Sequence, residues 1–261
     1  MLNDKLLNTL ILSALAVPGA VLAEEASPHT VSANVGFTTD YIWRGIAQTS
    51  HNPAVQGGID YSHASGLYAG VWGSNVSWIA DSGAVASGSV TMELDTYFGF
   101  RGSFAGDFSY DAGFIRYNYL GNYTENAAGG YAKANTDEIY GAIGYKWLTA
   151  KYSYGMGQFL TVPGAQGTNY LELNASVPLG DSGFTVGAHV GKQTYKGSSP
   201  LITGANTATY TDYKLSVAKD IGGYVVTVAY SDTNATSFYT YPAYGGDWGK
   251  AVTNLSVTHA F

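Results

Sequence analysis

The chain has 261 residues, a formal net charge of −7, no cysteine, 34 glycines and 22 tyrosines, and only 12% of its residues are charged. The absence of Cys excludes a disulfide framework, and the acidic balance without any Lys/Arg cluster gives nucleic acid nothing to hold. A 46% hydrophobic share argues against disorder, and so much Gly and Tyr with so little charge points to many strands and tight turns rather than helices.

In chain order, residues 1–23 read as an export leader that is cleaved. Lys5 supplies a short positive start, 6–21 is largely apolar though broken by Asn8, Thr9, Ser13 and Pro18, and Val21-Leu22-Ala23 places small residues before a cut ahead of Glu24-Glu25. The expected mature part, 24–261, holds no run of about 18 apolar residues and so no spanning helix. It is expected to be one domain, with no linker in it.

Segments of alternating residues then follow one another. The first, 31–43, sets Val31, Ala33, Val35, Phe37 and Tyr41 against Ser32, Asn34, Gly36, Thr38 and Asp40. Next come 54–63, 67–76 and 90–101. In the last of these Met92, Leu94, Thr96, Phe98 and Phe100 form one face, while Glu93, Asp95, Tyr97, Gly99 and Arg101 form the other. Two acids and an Arg cannot point into hydrocarbon, so that second face must meet water. The series continues through 108–119, 138–147, 150–158, 170–179, 184–194, 210–219 and 224–231. It closes on 251–261, AVTNLSVTHAF, which ends on an aromatic residue.

These twelve segments predict an all-β fold: a transmembrane, antiparallel, up-and-down β-barrel of about 12 strands. The connections agree, because long ones (44–53, 77–89, 121–137, 159–169, 195–209, 232–249) alternate with short ones (64–66, 102–107, 148–149, 180–183, 220–223). Barrels of this kind keep short turns in the periplasm and long loops outside. Of the long loops, 121–137 and 232–249 are the candidates to fold into the barrel. The last strand should lie antiparallel to the first. Aromatic residues near the expected strand ends, such as Trp43, Trp78, Trp147, Phe184, Tyr224 and Phe261, fit two interfacial girdles.

The block Asp40-Tyr41-Ile42-Trp43-Arg44-Gly45-Ile46-Ala47-Gln48-Thr49, with Asn52 to Tyr61 and Gly66 to Val76 after it, resembles the N-terminal signature of the TorF family of porins. The likeness is dense over 40–76 and farther on rests on Glu93-Leu94-Asp95 with its following aromatic residues. It implies a porin-like barrel in the outer membrane of a Gram-negative bacterium, in contact with outer-membrane lipid. It also implies that Phe261 is the label read by the barrel-assembly machinery. It supplies neither a solute nor catalytic residues.

Parity places a set of pore-lining candidates on the water face: Asp40, Arg44, Asp60, Glu93, Asp95, Arg101, Asp111, Glu138, Lys146, Lys151, Glu172, Asp212 and Lys214. Acids outnumber bases in it, and acidic walls favour cations. The expected function is passive diffusion of small solutes, weakly cation-selective or neutral. The alternative is a non-conducting barrel that works through its external loops. Tyr68, Tyr97 and Tyr140 are expected in the lumen, as fillers or as stacking surfaces. The Asp40/Arg44 pair is expected to cap the outer end of the first strand. No enzyme is expected: His63 beside Ser62 and Ser65 lacks a triad geometry, and His189 has no acid on its own strand face. No cofactor or metal motif is present.

Overall fold

The computed structural model describes residues 27–203, 207–241 and 246–261, so the expected leader over 1–23 lies outside the described residues. The wall is one closed antiparallel barrel of twelve strands in sequence order. They are numbered here β1 (His29–Thr38), β2 (Ala54–His63), β3 (Leu67–Asn75), β4 (Met92–Phe104), β5 (Phe108–Leu120), β6 (Thr136–Tyr145), β7 (Leu148–Gly155), β8 (Asn169–Pro178), β9 (Phe184–Thr194), β10 (Tyr210–Ile221), β11 (Tyr224–Thr233) and β12 (Val252–Ala260). Closure is between β1 and β12 in the register Asn34↔Ala260 to Thr38↔Ser256. Phe261 extends that ladder by donating its N–H to the Ala33 carbonyl at 2.8 Å. The ring has no free edge strand, because each of the twelve strands pairs with a neighbour on both sides.

The alternation seen in the sequence becomes two surfaces. Large apolar side chains are exposed on the outside of all twelve strands, among them Val35 on β1, Ile59 on β2, Phe98 on β4, Ile143 on β6, Leu215 on β10 and Leu255 on β12. A water-soluble protein does not carry such a continuous belt, and a barrel in lipid requires one. Inside, the Gly and Tyr content finds its use. A Cβ on Gly70 would lie 2.5 Å from the Tyr97 ring, and one on Gly113 would lie 2.6 Å from the Tyr140 hydroxyl. The missing side chain on one strand is the space in which the neighbouring strand's tyrosine lies.

Several expected strand ends move by two or three residues, as at Phe104, Gly155 and Ile221, and two of the changes have a visible cause. β1 ends at Thr38 rather than near 43, because Asp40 and the residues after it are drawn inward. His51 Nδ1 meets an Asp40 carboxylate oxygen at 2.7 Å, Thr49 Oγ1 lies 3.3 Å from the other, and the Tyr41 N–H donates to Thr49 Oγ1 at 3.2 Å. The link between β6 and β7 is the pair Lys146-Trp147 rather than 148–149; Lys146 has φ 53°, and Tyr145 faces Leu148 across the turn.

The loop that carries the hairpin inward is not one of the two expected, although 232–249 does turn in over the mouth, where Tyr239 and Trp248 are buried. Loop 121–135 sends Tyr123–Glu125 to pair with Val85–Gly88 of the preceding long loop, outside the barrel ring. The chain that enters the lumen is 39–53. Its hairpin pairs Ile42–Trp43 with Ile46–Ala47 across Arg44 (φ 47°) and Gly45 (φ 77°), the double positive φ of a tight two-residue turn. The loop before β12 covers it, with Ala47 N–H donating to the Trp248 carbonyl at 3.0 Å.

Candidate functional site: a plugged lumen beneath an aromatic mouth

Gly45 is pressed against the wall. A Cβ there would lie 2.5 Å from both Asp212 Cβ on β10 and Thr233 Cγ2 on β11. Beside it the Arg44 side chain crosses the lumen and is only 8% exposed. Its guanidinium donates to both oxygens of Glu138 on β6, at 2.9 and 2.8 Å, and to Gln193 Oε1 on β9 at 3.0 Å. It lies over the rings of Trp43 at 4.2 Å and Tyr170 at 4.4 Å. The Arg44 carbonyl accepts from the Tyr210 hydroxyl at 2.8 Å. A forked guanidinium suits this bidentate and stacked setting in a way that an ammonium does not. Arg44 is therefore a central latch rather than a cap at the rim, which corrects the expectation for the Asp40/Arg44 pair. Asp40 stays near the mouth, where burial pushes its carboxyl up and His51 opposes that shift.

A layer of carboxylates and hydroxyls surrounds the latch. Glu93 and Asp95 on β4 are buried, and the Tyr41 hydroxyl donates to Glu93 at 3.4 Å. Glu93 Oε2 and Asp95 Oδ1 have no hydrogen-bond partner among the described residues. Tyr97 donates to Asp60 at 2.5 Å and Tyr68 to Asp111 at 2.6 Å, and Tyr68 also hydrogen-bonds Tyr140. These three tyrosines fill the lumen, and Tyr97 and Tyr68 hold its acids directly. Lys151 sits over the Tyr140 ring at 4.2 Å and Arg101 over the Tyr68 ring at 4.9 Å.

His189 turns out to have acids around it, but from neighbouring strands. Its Nε2 is 2.7 Å from Asp212, and its Nδ1 is 2.7 Å from Asn174 Oδ1 and 3.7 Å from Glu172. Asn174 Nδ2 donates to Glu172 at 2.9 Å, and Tyr170 donates to Asp212 at 2.9 Å. The network reaches the latch through Tyr170. Reading one strand face at a time misses it, because the partners lie on β8 and β10, the two strands that flank the His189 strand β9. His63 does meet Ser65 Oγ, at 2.8 Å, but in an exposed turn where Ser65 N–H also donates to it.

Of the pore-lining candidates, Asp60, Glu93, Asp95, Arg101, Asp111, Glu138, Lys151, Glu172 and Asp212 are brought together around the latch or just below it. Lys214 is on the same parity and is exposed. Lys146 is not on the lumen face: it stands exposed in the β6–β7 turn, where its ammonium lies 3.6 Å from Asp107. Gln193, Tyr170, Tyr117 and Tyr41 are the residues that sequence reasoning passed over. Gln193 and Tyr170 had the right parity, but they carry no charge to draw attention.

Above the latch is a cavity of about 40 Å³. Its walls come from every long loop except 121–135. Trp43 and Ile46 stand on the inward hairpin, and Trp78 on the short helix Trp78–Asp81. Leu160 to Val162, Tyr195, Phe238, Tyr239 and Trp248 complete the ring, with Gln193 and Tyr210 below.

These features define a class: a closed twelve-stranded antiparallel barrel with an apolar outer belt, a charged lumen and an inward loop. The chain belongs to the family described as "Bacterial protein of unknown function (Gcw_chp)", whose model matches residues 22–261. That description names no activity, so the TorF likeness of 40–76 stays a resemblance. No curated protein matches the chain. Among solved structures, the NanC porin is 8% identical with a TM-score of 0.49, over 89% of this chain and 99% of that one. The Pseudomonas putida toluene transporter TodX is 11% identical with a TM-score of 0.49, over 91% and 90%. Pseudomonas aeruginosa OccD3 is 13% identical with a TM-score of 0.41, over 92% and 66%.

Proposed function

We propose that the protein is a porin-like channel of the bacterial outer membrane for passive diffusion of small solutes, held closed in this conformation by the loop 39–53. The observation that carries the reading is the pairing of an apolar belt on all twelve strands with a charged lumen. A purely structural barrel has no need of charges inside, where each must be desolvated and partnered. The wall supports weak cation selectivity, since Asp60, Glu93, Asp95, Asp111, Glu138, Glu172 and Asp212 face only Arg44, Arg101, Lys151 and Lys214 together with His189. The export leader over 1–23 and recognition of Phe261 by the assembly machinery belong to the same proposal. The Phe261 ring is exposed beside His259, at 4.7 Å between ring centres, and is accessible to such a reader.

The test is conductance of the detergent-folded protein in planar bilayers, for the wild type and for Arg44→Ala. The proposal expects small or intermittent wild-type conductance, a larger and steadier one in the variant, and a reversal potential of cation sign in a salt gradient. The latch itself favours a second reading, a non-conducting barrel that acts through its loops. Silence of both proteins would establish that reading and reject the channel.

A further inference from the structure

We infer that the mouth cavity is a binding site for a small, neutral, monocyclic aromatic molecule, the class of solute that the channel would admit first. The site rests on that functional reading only in treating its occupant as a solute in transit.

Three observations select the class. First, among the described residues no Asp, Glu, Lys, Arg or His lines the cavity, although the lumen directly below is crowded with charge. An ion entering there would give up water for nothing. Second, the side-chain amides and the Tyr210 and Tyr239 hydroxyls at the cavity are already engaged with protein, and the buried Trp78 Nε1 is a donor there with no hydrogen-bond partner among the described residues. Gln193 Nε2 donates to the Asn169 carbonyl at 3.2 Å while its Oε1 takes the Arg44 hydrogen bond. Gln48 Nε2 donates to the Ile46 carbonyl at 2.9 Å, and Tyr239 donates to the Ala208 carbonyl at 2.8 Å. A sugar, which needs several partners, would have to break these bonds, and each broken one leaves a buried group unsatisfied. Third, the walls are aromatic and meet edge to face, as Tyr210 with Tyr239 at 5.0 Å and 77°, and Phe238 with Tyr239 at 4.8 Å and 80°. Such walls suit a further ring, offset or edge-on.

Size narrows the occupant. About 40 Å³ is room for little more than ordered water, and it is far below the roughly 300 Å³ at which sites for drug-sized ligands begin. A single ring enters only if the half-buried Phe238 and Leu160 turn aside. Once seated, it touches Trp43, Gln193 and Tyr210, the residues that stack on Arg44, accept from it and hold its carbonyl. Occupancy of the mouth and release of the latch are thus mechanically linked.

The experiment uses iodobenzene as probe, because iodine quenches tryptophan on near contact and Trp43, Trp78 and Trp248 all line the cavity. The full-length folded protein in detergent is titrated, with toluene, glucose and N-methylpyridinium as competitors. Expected are a saturable quench, reversed by toluene and untouched by glucose or the charged ring. Val162→Phe fills the cavity and should weaken the apparent affinity about tenfold or more, in keeping with the cost of overpacking. Leu160→Ala enlarges it and should strengthen binding. Quenching that rises linearly and equally in wild type and both variants is partition into the micelle, and it overturns the site. Displacement by glucose or by the pyridinium overturns the class. Binding without bilayer conductance keeps the site and rejects the channel, and conductance without saturable binding does the reverse.

Discussion

Replacing Arg44 with Ala should free the loop 39–53 from the lumen while leaving the barrel wall folded. The guanidinium makes two charge-assisted hydrogen bonds to Glu138, at 2.9 and 2.8 Å, and a third to Gln193 at 3.0 Å. The carboxylate side chain is 1% exposed, and without Arg44 its remaining side-chain donor is the Tyr117 hydroxyl at 3.3 Å. Breaking a buried pair by removing one partner costs about 3–5 kcal/mol, because a charge is left behind uncompensated. At about 1.4 kcal/mol per factor of ten, the lower figure shifts the balance between seated and released loop by roughly a hundredfold. The wall ladders do not include the hairpin, so heat-modifiable gel mobility of the barrel should persist. Two assays read the loop: limited proteolysis between 39 and 53, and single-channel conductance. Both should rise sharply in Arg44→Ala. The double variant Arg44→Met, Glu138→Met should be far closer to wild type in loop protection, since removing both partners removes the orphan charge. Equal protection and equal conductance in wild type and Arg44→Ala would refute the latch.

Three further outcomes follow from the same geometry. Gly45→Val should mimic Arg44→Ala in proteolysis, because its side chain would meet Asp212 Cβ and Thr233 Cγ2 at 2.5 Å from a backbone with φ of 77°; a protected loop in that variant would argue against the tight seat. Asp95→Asn, tested in the Arg44→Ala background, should move the reversal potential toward zero if the acidic wall sets selectivity, and an unchanged potential would remove that wall from the account. Deleting Phe261 removes the last rung of the closing ladder, where its N–H donates to the Ala33 carbonyl at 2.8 Å; the variant should reach the outer membrane at reduced levels, and normal levels would count against any assembly role.

The wall was legible in the sequence because a strand in a barrel has two constant environments, and a period of two records them residue by residue. Glu93, Asp95, Tyr97 and Arg101 could be assigned to the lumen without seeing a fold, since no other face tolerates them. The parity of long and short connections was legible for the same reason. The plug was not. Asp40, Tyr41 and Trp43 continue the alternating pattern well enough to pass for strand, and the departure at Thr39 depends on Thr49 and His51, about ten residues on. The partners that seat Arg44, namely Glu138, Tyr170, Gln193 and Tyr210, come from four different strands. Periodicity reports the face a residue takes but is silent on which residues meet across a closed ring. The His189 network escaped for that reason too.

That division also bears on where control of the pore can lie. The wall is a continuous ladder of backbone hydrogen bonds, and its lower lumen is set by tyrosines lodged in the gaps of glycines such as Gly70 and Gly113. Close-packed elements of this kind do not rearrange in small steps. The inward hairpin is different. Its own pairing is only Ile42 with Ala47 and Trp43 with Ile46, and its seat on the wall rests on the Arg44 guanidinium, the Tyr210 and Tyr41 hydroxyls, the close fit of Gly45 and cover from the loop that carries Trp248. The few contacts that can change cheaply are thus the ones between the aromatic mouth and the charged lumen. A solute that disturbs Trp43, Gln193 or Tyr210 acts on the loop directly, whereas one that acts on the wall must break the barrel.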